Sequence, residues 1–462
     1  MRREQDLRDS QLAAIDWIFN KKRCGLFLGM GVGKTGLVLT ALQDLAQDLL
    51  AVRPLIIGTK LIAEKTWPDE VASWEHTKGF HLEVIKGTPK QRLKRMHTPA
   101  DAHVISVDNL VWLIDQWGKD WPYDAVIVDE SSMFKDPTSN RFKKLKRVAS
   151  KSDYFVLLTG TPNPMGYLNL WSQMYLLDGG QRLGKYYADW TDRQKRRHYG
   201  FREKYFDSDW GGFNWTLKEG ALEEIDRLVG ELCISIEVDL NLPPMTMKYH
   251  KFNLTPKRRA DYAELEKELL LAFDDATVEA VNPGVLSNKL RQFAAGALYL
   301  DEESTEWEDL HHSRTEYMRR LRAKYPDESL LVAYHYKFEW QRIKEAFPEA
   351  ISIKDKGAIN RWNAGTEPLI MGLHPKSGGH GLNLQFGGRR GLWYTMDYSR
   401  EEYDQLNKRL HRPGQTREVF IHHFICRDTL DDLVILPRLK HRGAQQEAFL
   451  AAVRLELRKK YE

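Results

Sequence analysis

The sequence predicts an α/β fold with two parallel sheets and a helical insertion between them. Short apolar runs recur in the first part of the chain, such as AVIVD (125–129) and YFVLLTG (154–160), and again in the last part, such as SLLVAY (329–334). Each run is followed by a loop and a helical pattern, which is typical of βαβ units. The runs are apolar throughout rather than alternating, as expected for parallel strands that helices cover on both faces.

The middle of the chain separates these two sets of strands. It is rich in Trp, Tyr and charged residues, and TPKRRADYAELEKELLLAF (255–273) predicts a long helix because its apolar side chains recur at helical spacing. Pro243 and Pro244 break any helix or central strand. We therefore predict a first domain over 1–240 with a helical protrusion at about 165–230, a linker and helical insertion over 241–325, and a second domain over 326–462 that ends in a helix.

Composition and charge exclude several classes of protein. The net charge of the 462 residues is +4, which permits a polyanionic partner without requiring one. No apolar run approaches the roughly 18 residues that a membrane helix needs, and the N-terminus has no apolar signal region. We therefore expect no membrane contact and a cytoplasmic location. The scattered Cys24, Cys233 and Cys426 argue against a disulfide framework or a cysteine zinc site.

The stretch LFLGMGVGKT (26–35) has the form of a phosphate-binding loop between a strand and a helix. Its glycines let backbone N–H groups turn inward, where with the helix N-terminus they cradle phosphate: Gly29, Gly31 and Gly33. Lys34 would reach the phosphates, and the Thr35 hydroxyl would bind Mg²⁺. Leu28 stands where the strict pattern has its first glycine. A glycine-rich turn without a ligand is the alternative interpretation of this loop.

Acidic side chains follow the apolar strand AVIVD. Asp129 and Glu130 lie at its carboxyl end, which is where ligands of open parallel sheets bind. Asp129 is placed to hold Mg²⁺, and Glu130 to orient or deprotonate water, two roles that phosphoryl transfer requires. Two solvated acids at a strand end are the alternative. The small hydroxyls of LLTGTPNP (157–164) are a weaker signal, because a polar turn explains them equally well.

A basic segment near the end of the chain, DQLNKRLHRPGQTREVF (404–420), completes the set. Gln405, Arg409 and Arg412 fall at i, i+4 and i+7, and this spacing predicts one helix face. Two arginines on one face could complete an ATP site from across a cleft. A solvated basic helix remains the alternative for this segment on its own.

Taken in order, these stretches resemble the SNF2 family of superfamily 2 helicase-like ATPases, over almost the whole chain. The stretches that carry the resemblance are LRDSQLAAIDWI (7–18), LGMGVGKT (28–35), PLIIGTKLIAEKTWPDEVASW (54–74), VISVDNLVWL (104–113), VDESSMFKDPTS (128–139), LTGTPNPMGYLNLWSQMYLL (158–177), LLVAYHYKFEWQRI (330–343), PKSGGHGLNLQ (375–385) and QLNKRLHRPGQTREVFIHHFICRDTLDD (405–432). The chain departs from the family at Leu28, usually acidic there, and at Tyr398 to Arg400, where the family usually has Trp-Asn-Pro.

The resemblance implies two RecA-like lobes that flank a cleft holding ATP and Mg²⁺. It assigns nucleotide binding to Gln11, the adenine reader, and to Gly29, Gly31, Gly33, Lys34, Thr35, Gly381 and Gln415. It assigns catalysis to Lys34, Asp129, Glu130, Arg409 and Arg412, the last two as arginine fingers. It assigns Mg²⁺ to Thr35 and Asp129.

The resemblance also implies a DNA substrate, with duplex favoured. The candidate contacts are Thr59, Lys60, Asn109, Lys376, Ser377 and Asn383, which would touch the nucleic-acid backbone independently of sequence. The basic run DRQKRRHYGF (192–201) lies where the family has a protrusion over DNA, and a solvated charged helix is the alternative. For RFKKLKRV (141–148) we favour a solvated helix face.

We therefore expect an ATP-dependent translocase that moves along duplex DNA, of a compact bacterial or phage type. Its location would be the cytoplasm of a bacterial or phage-infected cell. The alternatives are a strand-separating DNA or RNA helicase, a motor subunit of a restriction or defence complex, and an ATP-dependent switch or clamp that does not hydrolyse the nucleotide.

Overall fold

The computed structural model describes residues 3–29, 31–160, 167–191, 197–208, 215–236, 241–274, 283–300, 306–375, 382–396 and 398–440. The chain forms two compact units, Met1–Asp239 and Leu240–Glu462, and each contains one large parallel sheet. The predicted fold class, two RecA-like parallel-sheet lobes with a helical insertion between them in the sequence, is confirmed. Within the described ranges, no helix has the length and apolar character needed to cross a membrane.

The sheet of the first unit has seven strands, all parallel, in the order β7-β1-β6-β5-β2-β4-β3. They are β1 (Arg23–Leu28), β2 (Pro54–Gly58), β3 (Leu82–Ile85), β4 (Ala102–Ser106), β5 (Ala125–Asp129), β6 (Tyr154–Thr159) and β7 (Cys233–Ile236). The helices are α1 (Asp9–Lys21), α2 (Lys34–Gln47), α3 (Trp67–Val71), α4 (Pro89–Met96), α5 (Val107–Trp117), α6 (Asn140–Ala149), α7 (Leu170–Asp178), α8 (Phe201–Tyr205) and α9 (Ala221–Gly230). Shorter helical turns cover Glu4–Asp6, Ile62–Thr66, Ser131–Phe134 and Tyr167–Asn169.

Neighbouring residues of each central strand enter two different cores. Leu55 and Ile57 pack with the α5, α6 and α7 side chains on one face of the sheet, whereas Ile56 packs with the α1 and α2 side chains on the other. Every residue of β2, β4, β5 and β6 is consequently buried. The continuous apolar runs of the sequence follow from this double burial.

The protrusion predicted as helical also contains two antiparallel hairpins. One pairs Trp190–Thr191 with Arg197–His198, and the other pairs Phe206–Ser208 with Trp215–Leu217. The helical alternative for the basic run 192–201 is therefore wrong at its described end, because Arg197 and His198 are in a strand that a cross-strand ring contact stabilises. Residues 192–196 lie outside the described part of the chain.

The second unit has a parallel six-stranded sheet in the order β8-β13-β12-β9-β11-β10. Its strands are β8 (Met245–Phe252), β9 (Leu330–Ala333), β10 (Ile351–Ser352), β11 (Ile370–Leu373), β12 (Arg390–Trp393) and β13 (Val419–Cys426). The helices are α10 (Pro256–Asp274), α11 (Pro283–Ala295), α12 (Ser313–Lys324), α13 (Lys337–Ala346), α14 (Ala358–Ala364), α15 (Arg400–Leu410) and α16 (Leu436–Lys440), with a further turn at Asp431–Ile435.

The segment 241–325, which the sequence predicts as a linker and helical insertion, supplies more than helices. Its first strand, β8, runs along the full length of β13 and forms one edge of the second sheet. The segment then contributes α10, α11 and a short hairpin of Ala297–Tyr299 with Trp307–Asp309. The C-terminal helix expected after residue 440 lies outside the described residues.

Candidate nucleotide and nucleic-acid site

The predicted phosphate loop connects β1 to α2 at the carboxyl edge of the first sheet. Gly33 lies at the N-cap of α2 with a φ of +85°, a left-handed conformation that favours glycine. Gly31 has a φ of +86°, whereas Gly29 has no positive φ and a Cβ added there would meet only Val32, at 3.9 Å. Two of the three glycines are therefore required by the backbone of the loop itself.

Gln11, the predicted adenine reader, packs against this loop. Its side chain is buried, and its Nε2 donates a hydrogen bond of 3.2 Å to the carbonyl of Gly33. A Cβ at Gly33 would lie 2.7 Å from the same nitrogen. The structure thus brings α1 and the phosphate loop together, and Gln11 fixes the residue that precedes Lys34.

The position of the Leu28 side chain shows why the loop does not need a glycine at this position. The Leu28 side chain is fully buried in the core beneath the sheet, so it does not enter the loop. Its carbonyl remains available at the strand end and accepts a 3.2 Å hydrogen bond from Nζ of Lys34. Lys34 and Thr35 are the first two residues of α2, and both are partly exposed.

Asp129 ends β5 and is held in one orientation by a tryptophan. The carboxylate is 6% exposed, and its Oδ2 accepts a 3.1 Å hydrogen bond from Nε1 of Trp67. Trp67 begins α3 and is completely buried. Sequence reasoning missed Trp67, whose signal was a lone tryptophan after the turn that follows β2. It orients the carboxylate of Asp129, the predicted Mg²⁺ ligand.

Glu130 has an uncommon backbone conformation for a glutamate, with φ 61° and ψ 60°. Such strain is concentrated at functional sites, where the surrounding structure maintains it. Helix α7 supports the turn that follows, because Ser131 Oγ donates to Gln173 Oε1 at 2.7 Å and Ser172 Oγ donates to the carbonyl of Lys135 at 2.8 Å. The helix after the LTGTPNP stretch therefore braces the acidic strand end.

The register of the sheet sets the spacing between the loop and the acid. Strand β6 lies between β1 and β5, with Phe27 opposite Thr159 and Leu158 opposite Asp129. The end of β1 and the end of β5 are therefore two strand spacings apart, or about 9–10 Å. This distance leaves room for phosphate groups between the loop and Asp129. The predicted Mg²⁺ ligands fit this metal, because Thr35 and Asp129 offer the oxygen donors that it prefers alongside phosphate oxygens.

The predicted nucleic-acid contacts of the first unit lie farther along the same edge. Thr59 and Lys60 follow β2, and Asn109 lies in the first turn of α5, directly after β4. Since β2 and β4 follow β5 in the sheet order, these residues are on the side of Asp129 away from the phosphate loop. Lys60 is exposed, and the Thr59 hydroxyl has no hydrogen-bond partner within the described chain.

Arg92 of α4 joins Asn109 at this place and was not predicted. Its guanidinium donates to Asn109 Oδ1 and stacks 4.4 Å above the ring of Trp112, while Asn109 Nδ2 donates to Ser106 Oγ at 3.0 Å. The amide is thereby held in a fixed orientation, and a cation is placed beside it. The basic composition of α4, PKQRLKRM, was the signal in the sequence.

In the second unit, the two predicted arginine fingers converge on one backbone carbonyl. Nη1 of Arg409 and Nη1 of Arg412 donate to the Leu382 carbonyl at 3.2 and 3.0 Å. The prediction that both lie on one helix face is wrong, because α15 ends at Leu410. Pro413 disfavours helical geometry at the residue before it, so Arg412 lies in the turn beyond the helix.

Two glutamines lock the loops that carry these arginines. Nε2 of Gln415 donates to the carbonyls of Gln385 and Gly388 at 3.0 and 3.1 Å, and Nε2 of Gln385 donates to the carbonyl of Pro413 at 3.1 Å. Gln415 is buried, and its hydrogen bonds hold the turn that contains Arg412 in place.

The remaining predicted residues of this loop are only partly described. Asn383 is exposed, and its carbonyl accepts a 2.7 Å hydrogen bond from Nδ2 of Asn363. Lys376, Ser377 and Gly381 lie outside the described residues.

A cluster of His250, His422 and Arg390 joins three strands of the second sheet. His422 Nδ1 lies 2.9 Å from His250 Nε2 on the adjacent β8, and His422 Nε2 lies 3.3 Å from Arg390 on β12. Burial, then the neighbouring His250 and Arg390, lowers the pKa of His422 to about 3. Burial likewise lowers the pKa of His423 to about 4, and its Nε2 lies 2.8 Å from the hydroxyl of Tyr403.

Comparison with known proteins shows what this chain is similar to. The chain matches the SNF2-related domain over residues 10–293. Protein p41 of Acyrthosiphon pisum secondary endosymbiont phage 1 is 32% identical over 467 residues, which cover 97% of this chain and 98% of that protein. Uncharacterized ATP-dependent helicase MG018 of Mycoplasma genitalium is 22% identical over 93% of this chain, which spans 41% of that protein. The Sulfolobus solfataricus SWI2/SNF2 ATPase core in complex with dsDNA aligns over 98% of this chain and 95% of its own, with 20% identity and a TM-score of 0.43.

Two parallel sheets, the first with the predicted phosphate loop and an acidic strand end at its carboxyl edge, define a protein with two RecA-like lobes. Within that class, the chain belongs to the SNF2-related family, because the family match covers more than half of its 462 residues. The resemblance seen in the sequence is therefore confirmed, and the p41 relative supports a phage-type protein.

Proposed function

We propose that this chain hydrolyses ATP and uses the reaction to move along duplex DNA. The observation that carries the proposal is the order of groups along one sheet edge: the phosphate loop after β1, Asp129 after β5, and the predicted nucleic-acid residues after β2 and β4. A single rigid sheet would thus link nucleotide chemistry to a nucleic-acid surface. Family membership and the helicase name of the Mycoplasma relative support a motor.

The first unit would bind ATP and prepare the attacking water. The loop N–H groups and Lys34 hold the phosphates, Gln11 contacts the adenine, and Thr35 with Asp129 holds Mg²⁺. When bound, Mg²⁺ would neutralise phosphate charge. Glu130 orients the water and accepts its proton. Trp67 keeps the Asp129 carboxylate in place before nucleotide arrives, so less ordering is needed at the moment of reaction.

The second unit would contribute Arg409 and Arg412. Their guanidiniums stabilise the charge that develops on the transferred phosphoryl group. The Leu382 carbonyl and the two glutamines hold Arg409 and Arg412 in fixed positions. Because arginine fingers serve hydrolysis rather than binding, this arrangement favours a hydrolase over a clamp that only binds nucleotide.

DNA would be held through its phosphates by Thr59, Lys60 and Asn109 of the first unit and by Lys376, Ser377 and Asn383 of the second. Such contacts are independent of base sequence, and their strength falls steeply with salt. The cytoplasm of a bacterial or phage-infected cell is the proposed place of action.

Three measurements test this function. We expect duplex DNA to stimulate ATP hydrolysis more than single strands or RNA do. We also expect the protein to displace the third strand of a triplex without unwinding a forked duplex. Strong stimulation by RNA, or unwinding of the fork without triplex displacement, would replace the proposal with a strand-separating helicase, and nucleotide binding without hydrolysis would indicate a clamp.

A further inference from the structure

Arg92 on helix α4 is a cation to which the proposed motor gives no role. Its neighbour Arg95 is neutralised by Glu83, whose Oε1 lies 2.6 Å from the Arg95 guanidinium. Arg92 forms no ion pair with any residue in the described ranges, the exposed Asp108 included. The last turn of a helix favours cations, but Arg92 is the fourth of the eight residues of α4. Neither a counter-ion nor the helix dipole therefore explains a cation at this position.

Two contacts hold the Arg92 guanidinium in one place. Its central carbon lies 4.4 Å from the centroid of the Trp112 ring, and Trp112 itself packs against the hydrophobic core of the first unit. Nη1 of Arg92 donates to Oδ1 of Asn109, whose Nδ2 donates in turn to Ser106 Oγ at 3.0 Å. The arginine is thus ordered before any ligand binds, which lowers the entropy cost of binding.

The same guanidinium keeps hydrogen-bond donors for a ligand. Within the described chain, Nη1 is the only nitrogen of the Arg92 side chain that donates a hydrogen bond. Nε is buried without an acceptor, whereas Nη2 is not buried and has no acceptor either. Carboxylate and phosphate oxygens are the acceptors that the planar fork of an arginine fits best. The open side of this guanidinium therefore fits an anionic oxygen ligand.

Further cations lie along the carboxyl edge of the sheet near Arg92. The last residues of β2 and β4 are paired, so Lys60, just after β2, and Asn109, just after β4, occupy neighbouring positions of this edge. Lys90 is in the first turn of α4, which follows the carboxyl end of β3. Lys60 and Lys90 are exposed and form no ion pair within the part of the chain that the structure describes. The first turns of α4 and α5 contain one acid, Asp108, so cations predominate here.

An ordered guanidinium with further cations along the same edge fits a ligand with a row of anionic groups. The phosphates of a nucleic-acid backbone form such a row, and arginine and lysine are their usual partners. We propose that Arg92 binds a backbone phosphate of DNA, and that Trp112 and Asn109 position its guanidinium. This rests on the proposed function and adds to it a charged contact outside the stretches that resemble the family. Asn109, a predicted contact, gains the role of orienting Arg92.

Fluorescence anisotropy of a short labelled duplex, measured with the full chain at several salt concentrations, tests this contact. Each charged contact to a phosphate adds about 0.9 to the slope of log affinity against log salt concentration. Between about 50 and 200 mM salt, the wild type should therefore lose roughly 3- to 4-fold more affinity than Arg92→Gln does. Arg92→Lys keeps the charge without the planar stack, so it should restore the slope but only part of the affinity.

Arg53→Gln is the matched control for these measurements. Arg53 stacks on another tryptophan of α5, Trp117, at 5.2 Å, but it precedes β2 and so lies at the opposite edge of the sheet. Its variant should keep the wild-type slope. An equal change of slope in Arg53→Gln would reduce the effect to net charge and overturn the assignment. So would a wild-type slope in Arg92→Gln, which would leave Arg92 to packing or to an acidic protein.

A measurement on the wild-type protein keeps the test valid if Arg92→Gln fails to fold. Phenylglyoxal modifies accessible arginines, and mass spectrometry reports the rate at each one. Duplex DNA should protect Arg92 but not Arg53, whereas inorganic phosphate at the same ionic strength should protect neither. Absence of protection by the duplex, or equal protection by inorganic phosphate, would contradict a backbone contact. If the duplex protects Arg92 but does not stimulate ATP hydrolysis, the proposed motor function fails and the phosphate contact stands.

Discussion

The indole Nε1 of Trp67 donates a 3.1 Å hydrogen bond to the carboxylate of Asp129, and both side chains are buried at the carboxyl edge of the first sheet. Residues that orient a metal-binding carboxylate typically change metal affinity or activity 10- to 100-fold when they are replaced. Trp67 therefore connects the segment after β2 to the proposed Mg²⁺ site.

Trp67→Phe should preserve most of the packing and remove only this hydrogen bond. We expect ATP turnover to fall about ten-fold and the Mg²⁺ concentration for half-maximal rate to rise. Trp74→Phe is the matched control, because Trp74 is also buried and donates a hydrogen bond to a carboxylate, that of Glu70. Equal effects of the two substitutions would mean that Trp67 acts only through packing.

Lys34→Ala should abolish ATP turnover without unfolding the protein. The substitution removes a cation that would hold phosphate and a 3.2 Å hydrogen bond to the Leu28 carbonyl, but no core packing. Thermal unfolding should change little, by about 1 kcal/mol or less. Lys151→Ala is the control, since Lys151 also donates to a backbone carbonyl of the same unit, that of Lys119. Hydrolysis at the wild-type rate would refute the site assignment.

Arg412→Ala should retain nucleotide binding and lower turnover by roughly 10³-fold, as the loss of an arginine finger does. Arg409 is buried, so Arg409→Lys, which keeps a charge in the same place, is the safer substitution there, and it should also slow hydrolysis. Arg400→Ala, at the other end of α15, provides the comparison. Normal turnover in Arg412→Ala would mean that the turn is merely a structural element.

The second unit should lose stability in mild acid. Unfolded histidine has a pKa near 6.5, whereas that of folded His422 is about 3, so between these values the unfolded chain binds a proton that the folded chain does not. Stability is therefore fully present above about pH 6.5 and falls as the pH decreases, by roughly 1.4 kcal/mol per pH unit for a fully shifted histidine.

Urea unfolding of the full chain at pH 7 and pH 5 measures this loss. His422→Leu should be less stable at both pH values, because its hydrogen bonds are gone, but its stability should depend less on pH. His312→Gln, which alters a half-exposed histidine, should keep the wild-type dependence. If the free energy of unfolding of His422→Leu depends on pH as that of the wild type does, groups other than His422 cause the loss of stability.

The parts of this fold that were predictable from sequence are those in which local and tertiary preferences agree. Strands β2, β5 and β6 are buried on both faces, so they are apolar at every position. The backbone at position 33 has a positive φ, which favours glycine, so the glycine itself marks the loop in the sequence. Strand β8 is different: it lies at the sheet edge, is half exposed, and has the polar sequence MTMKYHKF, which gave no strand signal.

The parts that were missed depend on contacts between distant residues. Trp67 and Asp129 are 62 positions apart, and only the register of β2 and β5 brings their segments together. The Leu382 carbonyl, which accepts hydrogen bonds from both arginines, lies 27 residues before Arg409, and β12 lies between them in the sequence. The end of α15, by contrast, could have been predicted from Pro413. We extended the helix to Arg412 because the spacing of Gln405, Arg409 and Arg412 matches a helical period.

The burial of Leu28 restricts which substitutions this loop can accept. Replacing a buried leucine by a much smaller residue leaves a cavity that typically costs about 2–5 kcal/mol, a large share of the stability of a domain. Leu28→Gly would restore the strict phosphate-loop pattern at that expense, since the side chain fills the core beneath β1. A glycine at this position would therefore need a compensating change in the core, because core packing sets the cost of replacing Leu28.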